Sequence, residues 1–189
     1  MSVSARSRPL TVSNHFESLG LAPELVQVTQ ELGFQAPTDI QAAAIPALLA
    51  GRDLIGKSKT GSGKTAAFAL PMLQRLDLGR RELQGLVLCP TRELSAQVRR
   101  DIRTLGRNLP GLTVLELVGG QPARGQREAL ARGAHLAVAV LPRDAFHALP
   151  DEALREQICA HHHRRELSQR VHDVIFRRVH VLDRLLKSH

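Results

Sequence analysis

Eight consecutive residues between an apolar run and a helix-forming stretch have the composition of a phosphate-binding loop. They are Ser58, Lys59, Thr60, Gly61, Ser62, Gly63, Lys64 and Thr65. After a strand and before a helix, the glycines let backbone N–H groups curl around an anion, and the helix N-terminus adds its own donors. Lys64 could reach the β- and γ-phosphates, and the Thr65 hydroxyl could ligate Mg²⁺. The segment predicts a site for a nucleoside triphosphate with Mg²⁺; an ordinary Gly/Ser turn before a helix is the alternative interpretation.

A polar segment upstream of this loop could recognise a base. In Gly33-Phe34-Gln35-Ala36-Pro37-Thr38-Asp39-Ile40-Gln41, Pro37 and Thr38 fit a helix start. The helix that follows has an apolar face up to Gly51, made by Ile40, Ala43, Ala44 and Leu48. Alone, this pattern is a capped helix with a core-facing stripe. Just upstream of a phosphate loop, the planar ring of Phe34 and the amide of Gln41 could stack on an adenine and read its edge.

The segments that follow predict strands alternating with helices. Leu86-Val87-Leu88-Cys89 is an apolar run of strand length that ends in Pro90-Thr91-Arg92-Glu93-Leu94, where a helix to about Leu109 begins. Thr113 to Leu117 predicts another strand, followed by Gly119-Gly120. Such alternation predicts a parallel α/β sheet whose ligands gather at the carboxyl ends of the strands. Four arginines lie largely on the outer face of the helix, where a solvated surface is the favoured interpretation: Arg99, Arg100, Arg103 and Arg107.

Composition limits the class of protein. The 189 residues carry a net charge of +8, which makes a polyanionic partner plausible. Two cysteines are too few for a disulfide framework, and no apolar run is long enough to span a membrane. We expect a cytoplasmic protein without membrane contact, and the sequence leaves its oligomeric state open. The first 15 residues, rich in Ser and Arg, are expected to be disordered.

Taken in order, these motifs resemble the N-terminal RecA-like (P-loop) domain of the DEAD-box ATP-dependent RNA helicases, over about Phe16 to Val140. The resemblance implies ATP and Mg²⁺ as cofactors and RNA as a partner. It assigns Phe34, Thr38 and Gln41 to adenine recognition, with Phe16 as the isolated upstream aromatic. It assigns Ser58 to Thr65 to the phosphates and Mg²⁺, with Ser58 where the family usually has Ala. The residues that it implies along the RNA backbone are Pro90, Thr91, Arg92, Glu93, Gly119 and Gly120.

The resemblance breaks after Val140, where Val140-Leu141-Pro142-Arg143 replaces the family's Thr-Pro-Gly-Arg. The catalytic Asp-Glu-Ala-Asp, the Ser-Ala-Thr motif and the second RecA-like domain do not follow. Asp151-Glu152-Ala153 comes just after a proline and is an ordinary helix start. Val179 to Leu186 partly resembles the catalytic strand, but helical spacing favours an amphipathic helix through Leu167, Val171, Val174, Ile175, Val179, Leu182 and Leu186. For His161-His162-His163, a solvated basic turn is favoured over a metal site.

We therefore divide the chain into residues 1–15, a RecA-like ATP-binding domain over 16–140, and an atypical, mainly helical tail over 141–189. Either a reading-frame slip near codon 140 or a divergent tail folded onto the sheet would explain the break. By resemblance the chain is part of an ATP-dependent RNA helicase that binds ATP and RNA. Without the missing motifs we expect no efficient unwinding. The alternatives are a non-catalytic module that binds adenine nucleotide or RNA, and a non-functional truncated product.

Overall fold

The computed structural model describes residues 16–140 and the backbone of Val174–Phe176. A short 3₁₀ turn, Glu17–Leu19, comes first. The elements then follow in the order α1 (Pro23–Glu31), α2 (Asp39–Leu49), β1 (Leu54–Gly56), α3 (Lys64–Gln74), β2 (Gly85–Cys89), α4 (Arg92–Leu105), β3 (Val114–Leu117), α5 (Ala123–Ala131), β4 (Leu136–Val140) and β5 (Val174–Phe176).

Three of the strands form a parallel sheet in the order β2-β4-β3. Strand β4 lies in the middle, with Val138 opposite Val87 on one side and Glu116 on the other. Helices α4 and α5 make the crossovers that parallel strands require. The predicted parallel α/β sheet flanked by helices is thus confirmed. Within the described residues, β1 pairs with β5 instead, antiparallel, with Ile55 opposite Ile175.

The core lies between this sheet and helices α3 and α4. Strands β2 and β4 are apolar runs, as strands covered by helices should be, and α4 packs on all three strands of the sheet. Leu70, Ile102 and Leu136 are fully buried there. Cys89 belongs to the same cluster, and burial raises the pKa of its thiol to about 11, so that the group stays protonated at neutral pH. Helix α5 contributes no fully buried residue and contacts β3.

Local signals place the helix ends. Helix α1 has Pro23 at its first turn, where the missing N–H costs nothing, and the chain leaves it through Gly33 at φ 76°. Helix α4 has Thr91 as its N-cap and ends before Gly106. The sequence predicted that α4 runs to about Leu109, and the structure ends it at Leu105. None of the helices described here is long and apolar enough to cross a bilayer.

Two further predictions differ from the structure. The buried residues of α2 are Gln41, Ala44, Ile45 and Ala47, whereas Ala43 is exposed. Relative to the predicted apolar face, the buried face of α2 is therefore shifted around the helix to include Gln41 and to leave out Ala43. Val174–Phe176 form a strand, so the amphipathic helix predicted through Val174 and Ile175 is wrong over these three residues. Asp151, Glu152, Asp183 and the histidine triplet lie outside the described residues. The division of the chain at Val140 stays a prediction.

Candidate functional site

The predicted phosphate loop connects the end of β1 to the start of α3, in the strand–loop–helix order that such a loop needs. Gly61 and Gly63 have φ of 78° and 83°, a region that favours glycine. The Lys64 side chain folds back over the loop: Nζ donates to the backbone oxygen of Ser58 and, at 2.9 Å, to that of Lys59. The lysine ammonium therefore lies inside the curve of the loop, where an anion would meet it.

The start of helix α2 is attached directly to this loop. Thr38 Oγ1 donates to the Ser62 carbonyl at 2.8 Å, and Gln41 Nε2 donates to the Gly63 carbonyl at 3.1 Å. Gln41 Oε1 accepts the Thr38 backbone N–H at 3.0 Å, which closes the helix cap. Only 3% of Gln41 is exposed. Both ends of its amide hold the loop and the helix cap together, so one N–H and one lone pair remain for any further partner.

Two phenylalanines lie next to this segment in different environments. Phe16 is fully buried in the core, and its ring centroid is 6.0 Å from that of Phe34 in a tilted arrangement. Phe34 is half-buried and presents part of its ring to solvent. Of the two, only Phe34 can offer a surface to a base; Phe16 supports it from beneath.

Thr65 lies near a residue that the sequence analysis missed. Helices α3 and α4 pack against each other, and Asp101 of α4 lies close enough to Thr65, in the first turn of α3, for the threonine hydroxyl to affect its pKa. Burial raises the pKa of Asp101, while the charge of Arg100 and the Thr65 hydroxyl act in the opposite direction. The sequence signal for Asp101 is weak: it is a lone acid in the run Arg99-Arg100-Asp101-Ile102-Arg103.

The residues of the loop fit a phosphate group with a divalent cation. Lys64 supplies the positive charge and Thr65 a hydroxyl oxygen of the kind that Mg²⁺ accepts as a ligand. The Ser62 Oγ atom is buried and has no hydrogen-bond partner within the described part of the chain. A buried hydroxyl without a partner costs free energy, so a ligand oxygen at the loop would satisfy it.

The remaining predicted residues form a second cluster at the ends of β2 and β3. Thr91 Oγ1 accepts the Leu94 N–H at 3.3 Å and caps α4, which leaves Arg92 exposed on the first turn. Gly120 has φ 78°, and a Cβ atom there would lie 2.8 Å from Arg92 Nη2. The two segments predicted to line an RNA backbone are therefore in contact through Arg92 and Gly120. Pro90, Glu93 and Gly119 are exposed beside them.

Two of the four arginines predicted on the outer face of this helix have partners in neighbouring elements: Arg99 within α4, and Arg107 just beyond its end. Arg99 Nε donates to the Val114 carbonyl at 3.3 Å, which joins the helix to edge strand β3. Arg107 pairs with Glu31 at 2.5 Å and joins the end of α4 to α1; this pairing lowers the pKa of the Glu31 carboxyl. Arg100 and Arg103 are exposed, as predicted.

A parallel sheet flanked by helices, with a glycine-rich loop between a strand and a helix, defines a RecA-like P-loop domain. Residues 38–180 match the family model described as DEAD/DEAH box helicase. The protein belongs to that family. The match continues past Val140, the residue at which the family's motifs stop being recognisable in the sequence.

Curated relatives agree with this assignment. The chain is 49% identical over 126 residues to the ATP-dependent RNA helicase DbpA of Escherichia coli, covering 66% of this chain and 27% of that protein. It is 48% identical over 124 residues to the ATP-dependent rRNA helicase rrp3 of Emericella nidulans, covering 66% of this chain and 26% of that protein. The chain thus spans about a quarter of the length of these relatives.

Solved structures show the same domain. A DEAD box protein from the hyperthermophile Methanococcus jannaschii superposes with a TM-score of 0.63 at 30% identity, covering 77% of this chain and 43% of that one. Dbp5 of S. cerevisiae, bound to RNA and ADP BeF3, superposes with a TM-score of 0.57 at 33% identity, covering 66% of this chain and 31% of that one.

Proposed function

We propose that this chain binds ATP with Mg²⁺ as the N-terminal domain of an ATP-dependent RNA helicase. One observation carries the proposal: Thr38 and Gln41 hydrogen-bond to the Ser62 and Gly63 carbonyls. The segment expected to recognise adenine is thereby fixed to the loop expected to hold phosphate. A base beside α2 and a phosphate in the loop would then be bound by residues that are hydrogen-bonded to one another.

Each part of this unit has a distinct task. The loop N–H groups and Lys64 would hold the phosphates, and Thr65 would ligate Mg²⁺, which neutralises phosphate charge when bound. Phe34 would stack against the base, and the remaining N–H of Gln41 would hydrogen-bond to its edge. Phe16 keeps the Phe34 ring in place.

We propose binding without efficient hydrolysis for these 189 residues. The sequence contains no Asp-Glu-Ala-Asp, whose carboxylates hold Mg²⁺ and position the attacking water in the resembled family. Phosphoryl transfer depends on such groups and on cations that stabilise the transition state, each arginine of this kind being worth about 10³–10⁵ in rate. Hydrolysis should therefore remain close to the rate without enzyme.

RNA is the second ligand that we propose, through its phosphate backbone. The exposed Arg92 guanidinium and the open backbone at Gly119 and Gly120 suit a phosphate rather than a base. The net charge of +8 favours a polyanion over any small neutral ligand. A cytoplasmic location also belongs to the proposal and is supported by the small number of cysteines.

The test is equilibrium binding of a fluorescent ATP analogue to the unaltered chain, to Lys64→Ala and to Lys57→Ala. Lys57 is an exposed lysine just before the loop, so its variant removes the same charge outside the site. We expect Lys64→Ala to weaken binding at least about tenfold, since a charge-assisted contact is worth about 1.5–3 kcal/mol. Lys57→Ala should bind like the unaltered chain. Undetectable binding by the unaltered chain, or equal weakening by both variants, contradicts the proposal.

A further inference from the structure

The side chain of Gln126, in helix α5, is hydrogen-bonded to the turn that follows strand β3. Its Oε1 atom accepts the Val118 backbone N–H at 3.0 Å, and its Nε2 atom donates to the Val118 carbonyl at 2.9 Å. Nε2 also lies 3.5 Å from the carbonyl oxygen of Gln121, further along the chain. The amide of one residue therefore holds both ends of the turn of residues 118–121.

These hydrogen bonds fix the position of the turn because apolar packing between β3 and α5 is incomplete. Val118 follows the last residue of β3 that pairs with β4, and it is buried, so its backbone N–H and C=O need partners. A glutamine amide has a donor and an acceptor side by side and can satisfy both groups. Helix α5 has no fully buried residue, and a groove of about 270 Å³ lies between it and Leu115 and Leu117 of β3. The attachment of the turn to α5 therefore depends on Gln126 more than on packed side chains.

The same turn lies against Arg92, the exposed residue proposed above to meet an RNA phosphate. Gly120 has φ 78°, and a Cβ atom there would lie 2.8 Å from Arg92 Nη2, so the backbone of the turn is close to the guanidinium. Arg92 belongs to α4, whereas Gln126 attaches the turn to α5, so two different elements set the distance between them. A shift of the turn would change the space beside the guanidinium into which a phosphate has to fit.

A second glutamine makes the same set of contacts in a different part of the domain. Gln84 accepts the Asp77 N–H at 2.8 Å and donates to the Asp77 carbonyl at 2.7 Å and to the Arg80 carbonyl at 3.0 Å. Gln84 directly precedes β2, whereas Arg92 follows it, so the two lie beyond opposite ends of that strand. Like Gln126, Gln84 is half-buried. It provides a control in which the same hydrogen bonds are lost at a distance from Arg92.

We propose that Gln126 is a positioning residue that holds Gly119 and Gly120 beside Arg92, so that one phosphate of RNA can contact both segments. The inference rests on the proposed function, because it concerns the proposed RNA site. Gln126 acts through the turn and does not itself touch the RNA. Its contribution should appear in the part of RNA binding that depends on Arg92.

The experiment measures the affinity of a fluorescently labelled oligouridine across salt concentrations for the unaltered chain, Arg92→Ala, Gln126→Met and Gln84→Met. Methionine keeps the length of the side chain but cannot donate a hydrogen bond. We expect Arg92→Ala to reduce the slope of log affinity against log salt by about 0.7, and Gln126→Met to reduce it by at least about half as much. Gln84→Met should leave the slope unchanged. In an Arg92→Ala background, Gln126→Met should cause no further reduction, because both changes remove the same contact.

A second measurement reads the turn in the absence of RNA. The backbone amide resonances of Gly119 and Gly120 should shift in Gln126→Met and stay in place in Gln84→Met, while melting temperatures show that the variants fold. In the unaltered chain the Val118 amide hydrogen should exchange slowly with solvent, because Gln126 accepts it. This exchange rate needs no substitution, so it tests the contact by itself.

Several results would overturn the inference while leaving the proposed RNA site standing. These are an unchanged slope in Gln126→Met when Arg92→Ala reduces it, an equal reduction in Gln84→Met, or a further reduction when Gln126→Met is added to Arg92→Ala. Unmoved Gly119 and Gly120 resonances in Gln126→Met, or rapid exchange of the Val118 amide in the unaltered chain, also overturn it. An unchanged slope in Arg92→Ala, or undetectable oligouridine binding by the unaltered chain, overturns the proposed RNA site and this inference together.

Discussion

Gly63 is a residue at which the phosphate loop lies directly against helix α2. A Cβ atom at this position would lie 2.3 Å from Gln41 Nε2, a separation that real side chains do not adopt. Gly61 has a similar positive φ, yet a Cβ there would have no neighbour within 4 Å. The two glycines therefore share a backbone requirement, and only Gly63 adds a requirement for space.

We predict that Gly61→Ala and Gly63→Ala differ in stability for this reason. A left-handed alanine costs about 1–2 kcal/mol at either position. Gly63→Ala should cost about 1 kcal/mol more, since it also breaks the hydrogen bond from Gln41. Urea unfolding of both variants measures the difference. In a Gln41→Ala background the two variants should become equal; a difference that persists there contradicts this account of Gly63.

The residues of the site illustrate what sequence predicts and what it does not. The loop, the Thr38 cap and the exposed Arg92 follow from local signals, because each depends on neighbours within a few positions. The inward turn of Gln41 and the burial of Phe16 depend on residues distant in sequence. The spacing of residues within one helix cannot predict contacts with residues far away in the sequence, so these features can be seen only in the folded structure.

At the scale of elements, His135 joins three segments at the start of β4. Its Nδ1 atom accepts the Thr113 N–H at 3.1 Å, just before β3. Its Nε2 atom lies 3.3 Å from the Leu78 carbonyl in the connection between α3 and β2, and with Nδ1 accepting, a proton on Nε2 can be donated to that carbonyl. The ring is 3% exposed, and both of its nitrogens are used.

Replacing His135 by alanine should leave the Thr113 N–H and the Leu78 carbonyl without partners. Each such group left without a partner costs about 1–3 kcal/mol, so we expect a total loss of about 2–6 kcal/mol in the free energy of unfolding. Arg132→Ala, at an exposed position nearby, should change it by less than about 0.5 kcal/mol. If the two variants were equally stable in urea, His135 would not hold these segments together.

The contact between the start of α4 and the turn after β3 gives a prediction for RNA. If Arg92 meets a phosphate, Arg92→Ala should reduce the slope of log affinity against log salt by about 0.7 for a single-stranded RNA. Gly120→Ala should act in the same direction because a Cβ atom would displace the Arg92 guanidinium. Binding of a labelled oligonucleotide across salt concentrations measures the slope. An equal change of the slope in Arg132→Ala would mean that any exposed arginine contributes to RNA binding, which contradicts a specific site at Arg92.

The elements also show where the sequence-based predictions fail. The strands at Leu86–Cys89 and Thr113–Leu117 were predicted within one residue, because buried apolar runs of strand length are distinctive. The helix through Val174 and Ile175 was not, since pairing with Leu54–Gly56 overrides the local helical spacing. The spacing of apolar residues along one segment does not predict which distant segment it will pair with in a sheet.

For the molecule as a whole, the parallel sheet, the loop and the family could be predicted from the order of the motifs. The pairing partner of β1 could not, because it lies beyond Val140, where the motifs are no longer recognisable. The chain covers about a quarter of its curated relatives, and those relatives are named as ATP-dependent helicases. Our proposal is therefore limited to these 189 residues, which we propose to bind ATP without hydrolysing it efficiently.

The most direct test measures both properties in one sample of the unaltered chain, with saturating single-stranded RNA and MgCl₂. Bound nucleotide is counted by equilibrium titration with ATP, and phosphate release is followed over the same period. We predict one nucleotide per chain and phosphate release no faster than that of Lys64→Ala under the same conditions. RNA-stimulated release well above that of Lys64→Ala would show that another group replaces the missing carboxylates and would contradict the account.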